Sequence, residues 1–306
     1  MVSKFMRGRL GNQLFQYATA RKIQLLNNDD SLNFDFTKYV ESKGFEDELK
    51  YFNVKPYSTN SIRIGIWNYI IIVIVRIIKR LIRFFDKNNY YLKRYNYENK
   101  INKFLIKHGI YWKEDGKINI LPTNKKNKLL IGHFECKDNF DDIRNVLLDE
   151  LEPKEDILEK NKKLYNMIKN TNSVCITIRR GDYVTNSKFA KVFNICSIDY
   201  YQKAINVIKE KVDNPVFFVF SDDIEWCKNN IDISGEKYYE DGNDPVWEKL
   251  RLMYSCKHFI ISNSTFSWWA QYLSRNDNKV VVAPSKWANT GYPYDIFDDK
   301  WFKIEV

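Results

Sequence analysis

The sequence predicts an α/β protein with a parallel, doubly wound sheet in its second half. Four apolar segments there have the length of buried strands, and predicted helices separate them. The predicted strands are residues 174–178, 215–220, 258–262 and 279–283, and the predicted helices are residues 198–212, with Ser197 as N-cap, 224–230, 246–256 and 266–274. Parallel strands need long crossover connections, which are usually helices, so this alternation indicates a parallel sheet. Ligands of such sheets bind beyond the carboxyl ends of the strands.

The length and composition are sufficient for two domains. The chain has 306 residues, of which 44% are hydrophobic and 29% are charged, so extensive disorder is excluded. We predict an N-terminal domain of residues 1–155 and a C-terminal domain of residues 156–306, whose last residues are expected to pack back on the first domain. The charged segment from Asp149 to Lys163 is predicted to be helical and to form the crossing between them.

The charge balance favours an anionic partner. There are 49 Lys and Arg residues against 39 Asp and Glu residues, which gives a net charge of +10. Phosphorylated substrates and acidic lipids fit this surplus, and an evenly solvated basic surface would account for it equally well. No basic segment has the interleaved aromatic residues of a recognisable RNA-binding pattern, so we predict no nucleic-acid partner.

The cysteines and the N-terminus predict a cytoplasmic protein. The five cysteines are odd in number, and none forms a Cys-x-x-Cys pair or has a histidine at ligand spacing. This pattern is typical of reduced thiols and argues against structural zinc. The first seven residues lack the apolar segment of a signal peptide.

A turn that contains two glycines opens the first predicted helix. Residues 8–13, Gly-Arg-Leu-Gly-Asn-Gln, precede apolar residues at helical spacing from Leu14 to Ala20. Such a turn presents backbone N–H groups at the helix N-terminus, where anions can bind. Many ordinary turns also contain two glycines, so this turn alone does not define a site.

Residues 63–85 are predicted to include a basic amphipathic helix. The uncharged stretch 64–75 is too short to span a bilayer, which needs about 20 residues. Beyond it, the basic residues from Arg76 to Arg83 share one helical face and apolar residues share the other. Two interpretations are open: the helix contacts a membrane surface, or it packs on the body of the protein or on a second subunit.

The pattern between this helix and the second domain is weak. Residues 86–128 are rich in Asn, Lys and Tyr and have little periodicity, so we predict peripheral loops and short elements there. Residues 129–132, Leu-Leu-Ile-Gly, then indicate a short buried strand.

An arginine pair follows the first strand of the second domain. The segment is Arg179-Arg180-Gly181-Asp182. A guanidinium group is a planar, permanently charged fork that binds phosphate oxygens in a bidentate way. Asp182 can hold one of the arginines in place. The segment therefore predicts a clamp for a diphosphate, and a surface ion-pair cluster is the alternative.

Polar residues also follow the next two strands. A carboxylate in the segment 221–223, Ser-Asp-Asp, can accept hydrogen bonds from guanine, bind a metal or cap the following helix. Hydroxyl residues open the helix after the third strand, where the helix dipole favours an anion, although an ordinary N-cap would look the same. These residues are Ser264, Thr265 and Ser267. Together the three strand ends predict a nucleotide-diphosphate site at one edge of the sheet.

Fixed positive groups could replace a metal ion in this site. A nucleotide diphosphate that leaves gains negative charge in the transition state, and either Mg²⁺ or fixed cations and N–H groups can stabilise it. Asp222 and Asp223 are adjacent, so the segment is not an Asp-x-Asp metal motif. We predict a reaction that needs no metal or other cofactor.

Four stretches of the chain match the motifs of a known protein family. They are residues 8–18, 178–183, 218–226 and 252–269. In these the chain resembles the bacterial α-1,2-fucosyltransferases of glycosyltransferase family 11, and they occur in the family's order. The resemblance implies a GT-B fold, in which two Rossmann-like domains flank a cleft. It implies GDP-β-L-fucose as donor, inversion at the anomeric carbon and no metal requirement.

The resemblance also implies roles for particular residues. Arg179 would bind the β-phosphate and act in catalysis, and Arg180 and Asp182 would shape its loop. Asp222 would recognise guanine. The remaining donor-binding residues would be Ser264, Thr265 and Ser267 around the diphosphate, with Asn12 and Gln13 of the first domain near fucose and acceptor.

Three positions depart from the family pattern. Thr177 stands where the family usually has His, Lys249 where it usually has an acidic residue, and Arg9 where it often has a second Gly. The first change removes a candidate general base or a group near the nucleotide. These departures bear on the donor, the acceptor and the rate.

The predicted enzyme is a galactoside α-1,2-fucosyltransferase, a hexosyltransferase acting on O2 of a galactose residue in a surface glycan. We expect a lipid-linked acceptor at the inner face of the cytoplasmic membrane. Asp182, Glu248 and His258 are the candidates for a general base. One alternative is a related transferase with another nucleotide sugar or linkage, and another is a non-catalytic protein that binds a GDP-sugar or a glycan.

Overall fold

The chain divides into two compact units. The computed structural model describes residues 1–29 and 31–306, apart from the side chain of Asp182. Unit 1 comprises Met1–Lys50, Val54–Leu151 and Thr290–Ile296, and unit 2 comprises Tyr51–Asn53, Glu152–Asn289 and Phe297–Val306. The main division, between Leu151 and Glu152, lies close to the predicted boundary. Sequence analysis did not predict the two short excursions of the chain, at 51–53 and 290–296.

Unit 1 contains a five-stranded sheet in which all neighbouring strands are parallel. Its strands are β1 (Val2–Phe5), β2 (Leu32–Asp35), β3 (Tyr57–Ser58), β4 (Ile110–Trp112) and β5 (Lys128–Ile131), in the order β3-β2-β1-β5-β4. Only β5 was predicted from the sequence. Of the others, β1, β2 and β3 contain polar residues and β4 has only three residues, so no apolar run stands out.

Four helices accompany this sheet within the described residues of unit 1. They are α1 (Leu10–Leu26), α2 (Ile66–Phe85), α3 (Tyr90–Lys107) and α4 (Arg144–Glu150). The structure confirms the helix after the two-glycine turn and the amphipathic helix, which is continuous over 20 residues. Among the described residues, none of the helices combines the length and the apolar character needed to cross a membrane.

Helix α3 lies in a segment for which loops were predicted, and that prediction was wrong. Its buried positions include Glu98 and Asn102 as well as Leu105 and Ile106. The Glu98 carboxylate is 2.6 Å from Nζ of Lys79 on α2, so an ion pair takes the place of apolar contacts. A helix that buries polar residues has weak hydrophobic periodicity, which is why sequence analysis missed it.

The predicted helix at 149–163 was also wrong. Helix α4 ends at Glu150, a single 3₁₀ turn covers Glu159–Asn161, and the next helix begins at Lys162. Pro153 lies between them, and proline interrupts a helix because it lacks the backbone N–H and clashes with the preceding turn. The crossing between the units is therefore an irregular segment.

Unit 2 contains a six-stranded parallel sheet. Its strands are β6 (Asn172–Ile178), β7 (Pro215–Ser221), β8 (Lys237–Tyr239), β9 (His258–Ile260), β10 (Val281–Pro284) and β11 (Phe302–Ile304), in the order β11-β10-β9-β6-β7-β8. The four predicted strands are confirmed, and two short edge strands were missed. The last residues form β11 beside β10 and belong to unit 2. The expectation that they pack back on the first domain stays a prediction.

Seven helices belong to the described residues of unit 2, and the last four of them along the chain were predicted. They are α5 (Lys162–Asn170), α6 (Gly181–Thr185), α7 (Ser187–Phe193), α8 (Ile198–Lys211), α9 (Ile224–Asn230), α10 (Val246–Tyr254) and α11 (Thr265–Leu273). Ser197 caps α8, since its side chain accepts a hydrogen bond from the backbone N–H of Tyr200. The α/β fold with two Rossmann-like domains is confirmed.

Gly132 provides a test of how tightly the first sheet closes. It follows β5 with φ of +124°, and a Cβ atom there would lie 1.5 Å from the backbone oxygen of Lys113. We expect Gly132→Ala to lower the free energy of unfolding by about 3 kcal/mol or more, because the backbone must shift. Thermal unfolding measures this. Gly291→Ala is the matched control, since a Cβ atom there meets nothing within 4 Å. Equal stability of the two variants would contradict the prediction.

Candidate functional site

Asp222 holds the segment 179–182 that follows β6, which we call the arginine turn. Its Oδ2 atom lies 2.6 Å from a terminal nitrogen of Arg179, and its Oδ1 atom accepts a hydrogen bond of 2.8 Å from the backbone N–H of Arg180. The carboxylate follows β7, which pairs with β6 along its whole length. Adjacent strand ends thus bring a carboxylate against two consecutive cationic residues.

Arg180 is held by a second set of contacts. Its Nε lies 3.1 Å from Oδ2 of Asp223, and its guanidinium carbon lies 3.7 Å from the ring centroid of Trp226. The other oxygen of Asp223 accepts from the backbone N–H of Trp226 and caps α9. Asp223 therefore has the capping role that was the alternative in the sequence. The Arg179 and Arg180 side chains are 24% and 23% exposed, so both reach solvent.

Gly181 leaves room for Asp222. A Cβ atom on Gly181 would lie 2.5 Å from Oδ2 of Asp222, closer than a side chain can approach. The glycine is therefore required by the position of the carboxylate. Asp182 was predicted to hold an arginine, but its side chain lies outside the described part of the structure. Within that part, Asp222 and Asp223 perform this task.

The third strand end contributes the N-terminus of α11. Ser264 occupies the N-cap position, and its backbone oxygen accepts from the N–H of Trp268. Ser264 and Thr265 are partly exposed, whereas Ser267 is buried with its hydroxyl 3.0 Å from that of Ser262. Of the three predicted phosphate ligands, Ser267 is thus already engaged by a neighbouring side chain.

Sheet order places these three groups side by side. Strand β6 lies between β9 and β7, so the arginine turn is flanked by α11 on one side and by Asp222 on the other. Tyr183 connects the arginine turn to the segment before α11, because its hydroxyl donates to the backbone oxygen of Asn263 at 3.2 Å. The arrangement offers guanidinium groups and a helix N-terminus to one anion.

Two of the three residues that depart from the family pattern, Thr177 and Lys249, lie in unit 2 and contact neighbouring residues there. Thr177 is buried, its hydroxyl accepts from the N–H of Ser262 at 3.0 Å, and it donates to the oxygen of Ile260. It therefore joins β6 to β9. The ammonium group of Lys249 lies 3.2 Å from a carboxylate oxygen of Glu240, which is itself buried.

Two candidates for the general base are engaged in structural contacts. Glu248 is fully buried, and its carboxylate accepts from the N–H of Leu158 and pairs with Arg251, each at 3.0 Å. His258 begins β9, at the edge of the sheet opposite the arginine turn, and its Nδ1 accepts from the N–H of Val280. Burial and the nearby Lys257 lower the pKa of His258.

The predicted cleft residues of unit 1 shape the loop before α1. Gln13 is fully buried, donates to the backbone oxygens of Gly8 and Glu46, and accepts from the N–H of Glu48. Asn12 packs on Gly8, where a Cβ atom would lie 2.5 Å from Nδ2 of Asn12. Gln13 thus joins the loop before α1 to residues 46–48 with all of its amide group, which sequence analysis did not foresee.

Sequence analysis missed a polar cluster at the carboxyl ends of β4 and β5. It consists of Asp115, His133 and Glu135, whose side-chain ligand atoms lie within 4.8 Å of one another. His133 Nδ1 is 3.2 Å from Asp115 Oδ1, and Asp115 also pairs with Arg94 at 3.1 Å. The rule that ligands bind beyond strand ends would have found these residues, had β4 been recognised.

The cluster shifts the protonation of all three groups. Removal from water and the negative charge of Asp115 raise the pKa of Glu135 to about 7. Burial acts against the charge of His133, but the hydrogen bond and charge of Asp115 prevail and raise its pKa. Burial also opposes the charge of Asp115, yet His133 and Arg94 hold its pKa below the ordinary value. Glu135 therefore exchanges its proton near neutral pH.

Two groups of described residues could hold a metal ion by ligand type. One is the cluster of Asp115, His133 and Glu135, and the other is Glu240, Asp241 and Asp244 in unit 2. In the second group, Lys160 lies 2.8 Å from Asp244 and Lys249 lies 3.2 Å from Glu240. Lysines therefore already balance part of the acidic charge there.

Comparison with known proteins defines the family to which this fold and this sequence belong. The chain belongs to Glycosyl transferase family 11, whose sequence profile matches residues 1–305. This confirms the resemblance seen in the sequence motifs.

Two relatives agree with this assignment, and a solved structure shares the fold. The chain is 32% identical to an α-1,2-colitosyltransferase of Escherichia coli, covering 98% of this chain and 97% of the relative. It is 29% identical to the O-antigen biosynthesis glycosyltransferase WbnK of Escherichia coli, covering 98% and 99%. The crystal structure of the fucosyltransferase NodZ from Bradyrhizobium matches with a TM-score of 0.52 at 12% identity, covering 88% of this chain and 92% of that one. That match supports the GT-B fold.

Glu135 gives a pH-dependent prediction for stability. Because its pKa rises from 4.5 to about 7 on folding, the folded chain loses stability as pH increases through this range, and the loss persists above it. We expect Glu135→Gln to raise the free energy of unfolding by about 1 to 3 kcal/mol at pH 8 and to change it little at pH 4. Thermal unfolding at both pH values measures this. Glu41→Gln, at an exposed position, is the control. An equal effect of Glu135→Gln at both pH values would contradict the raised pKa of Glu135.

Proposed function

We propose that the protein transfers L-fucose from GDP-fucose to O2 of a galactose residue in a surface glycan, with inversion at the anomeric carbon. One observation carries this proposal: the arginine turn is held by Asp222 beside the N-terminus of α11, in a chain of family 11. Guanidinium groups and helix N–H groups are suited to the diphosphate of a nucleotide sugar.

Each donor-site residue has a proposed part. Arg179 binds the β-phosphate directly, and Arg180 supports the turn through Asp223 and Trp226. Ser264 and Thr265 contribute their hydroxyl and N–H groups, while Ser267 holds the start of α11 to the end of β9 through Ser262. Asp222 remains the proposed reader of guanine, because a carboxylate has about four lone-pair sites and can accept from a base while it holds the turn.

The proposed reaction is a single displacement. The galactose O2 attacks the anomeric carbon as the bond from that carbon to the β-phosphate oxygen breaks, and GDP leaves with the electron pair. The hydroxyl proton passes to a base or to water. Fixed guanidinium groups that stabilise the departing diphosphate lower the barrier without reorganisation, so we propose that no metal is required.

The general base is the least defined part of the mechanism. Glu248 and His258 are engaged in structural contacts, which leaves Asp182 as the remaining candidate from the sequence. Good alignment of the acceptor can supply much of the rate, and a base typically adds about 10²–10⁴-fold. Asn12 and Gln13 act through the loop before α1, on the acceptor side of the reaction.

A specific observation favours a second donor. The relative with 32% identity over nearly the whole chain is a colitosyltransferase, and Thr177 and Lys249 depart from the fucosyltransferase pattern. The donor is then GDP-colitose, and the remaining chemistry is unchanged. The similarity to an O-antigen enzyme favours a lipid-linked glycan acceptor for either donor, and hence a cytoplasmic enzyme at the inner membrane face.

The first prediction of the proposed function concerns the phosphate contact. Arg179→Ala removes a fixed positive group from the leaving diphosphate, so we expect kcat/KM to fall about a hundredfold or more. Arg179→Lys restores the charge without the fork and should recover only part of the activity. Arg275→Ala is the control, because Arg275 lies elsewhere in unit 2 and pairs with Glu152. Full activity of Arg179→Ala would overturn the phosphate assignment.

The second prediction concerns donor and metal. With a β-galactoside acceptor, GDP-fucose and GDP-colitose are offered in turn, with and without EDTA, and release of GDP is measured. We expect turnover with GDP-fucose that EDTA does not reduce. Turnover with GDP-colitose alone would select the second donor. Calorimetric binding of GDP without turnover of any sugar would indicate a non-catalytic GDP-sugar-binding protein and refute the proposal.

A further inference from the structure

Helix α2 turns an apolar stripe away from the rest of the described chain. Its buried residues are only Ile72, Val75 and Lys79. With 3.6 residues per turn, six apolar residues fall within an arc of about 80° on the outward side. These are Ile66, Ile70, Ile74, Ile77, Leu81 and Phe84, which are between 40% and 81% exposed. Ile72 and Val75 join the apolar core of unit 1, whereas this outward stripe remains exposed in the described chain.

Aromatic side chains extend this surface at both ends of the helix. Trp67 is 76% exposed near the N-terminus, and Phe85 is 79% exposed at the C-terminus. Soluble monomers rarely leave so large a contiguous apolar surface open to water, so a partner is expected to cover it. Aromatic rings at the ends of an apolar stripe are typical of helices that lie at a membrane–water interface.

Arginines identify the chemistry of this partner. Arg76, Arg80 and Arg83 are exposed and lie along one border of the stripe, between it and the buried residues. The helix contains no Asp or Glu, and the whole chain has a net charge of +10. An identical face packed antiparallel on it would bring arginine against arginine, whereas anionic headgroups complement the row.

We propose that α2 binds the surface of an anionic phospholipid membrane. The helix lies parallel to the surface, with the apolar stripe in the acyl-chain boundary and the three arginines against headgroup phosphates. Its 20 residues extend for about 30 Å along the surface. This inference goes beyond the transfer reaction and does not depend on which sugar is transferred.

Vesicle binding tests the proposal without donor or acceptor. The full chain is sedimented with vesicles of phosphatidylcholine alone and of phosphatidylcholine with phosphatidylglycerol. We expect binding that requires phosphatidylglycerol and weakens with salt. The triple variant Trp67→Ser, Phe84→Ser, Phe85→Ser should bind at least about tenfold more weakly. The triple variant Arg76→Gln, Arg80→Gln, Arg83→Gln should lose roughly a hundredfold, at about fivefold per arginine.

Matched controls separate specific docking from general charge and folding effects. Lys203→Gln, Lys209→Gln, Lys211→Gln removes three charges from α8 in unit 2, and we expect it to bind like the unchanged protein. Transfer to a soluble galactoside should be unaffected in every variant. Failure of the unchanged protein to bind anionic vesicles would overturn the proposal. So would a dimer in solution that the serine variant dissociates while vesicle binding stays the same.

Discussion

The proposed donor site depends on the ion pair between Asp222 and the arginine turn. Two consecutive arginines at a strand end repel each other and would otherwise point apart in water. Asp222 reaches across from the neighbouring strand, pairs with the side chain of Arg179 and accepts from the backbone of Arg180. The close approach in turn requires glycine at 181. The geometry of the positive site is thus set by strand order, one carboxylate and one missing Cβ atom.

The sequence was informative where apolar runs end in polar residues. The central strands of unit 2 are buried on both faces, so their composition alone identified them, and the parallel arrangement placed Arg179, Asp222 and Ser264 at one edge. Unit 1 gave little comparable signal. Its strands are short, and α3 buries Glu98 and Asn102. The spacing of apolar residues therefore showed neither the strand period nor the helix period clearly.

The sequence identified polar residues in motifs, but it did not show which groups their side chains contact. Gln13, Ser267 and Glu248 are polar residues in recognisable motifs, and each was assigned to ligand or catalysis. In the structure each contacts buried partners: Gln13 contacts backbone groups, Ser267 another hydroxyl, and Glu248 an arginine and a backbone N–H. A buried polar group must find partners, and those partners are distant in sequence, so this distinction requires the fold.

Lys79 determines which face of α2 is turned outward. Lys79 is buried and pairs with Glu98 at 2.6 Å and with Glu114 at 3.0 Å. Rotation of the helix about its axis would separate the ammonium group from both carboxylates, which is costly for a buried ion pair. Folding therefore places few demands on the outward positions, and genetic drift there would not be opposed by loss of stability. A row of isoleucine, leucine and phenylalanine at such positions reduces solubility and has no benefit for the core. Selection for something outside the folded chain is what would maintain it.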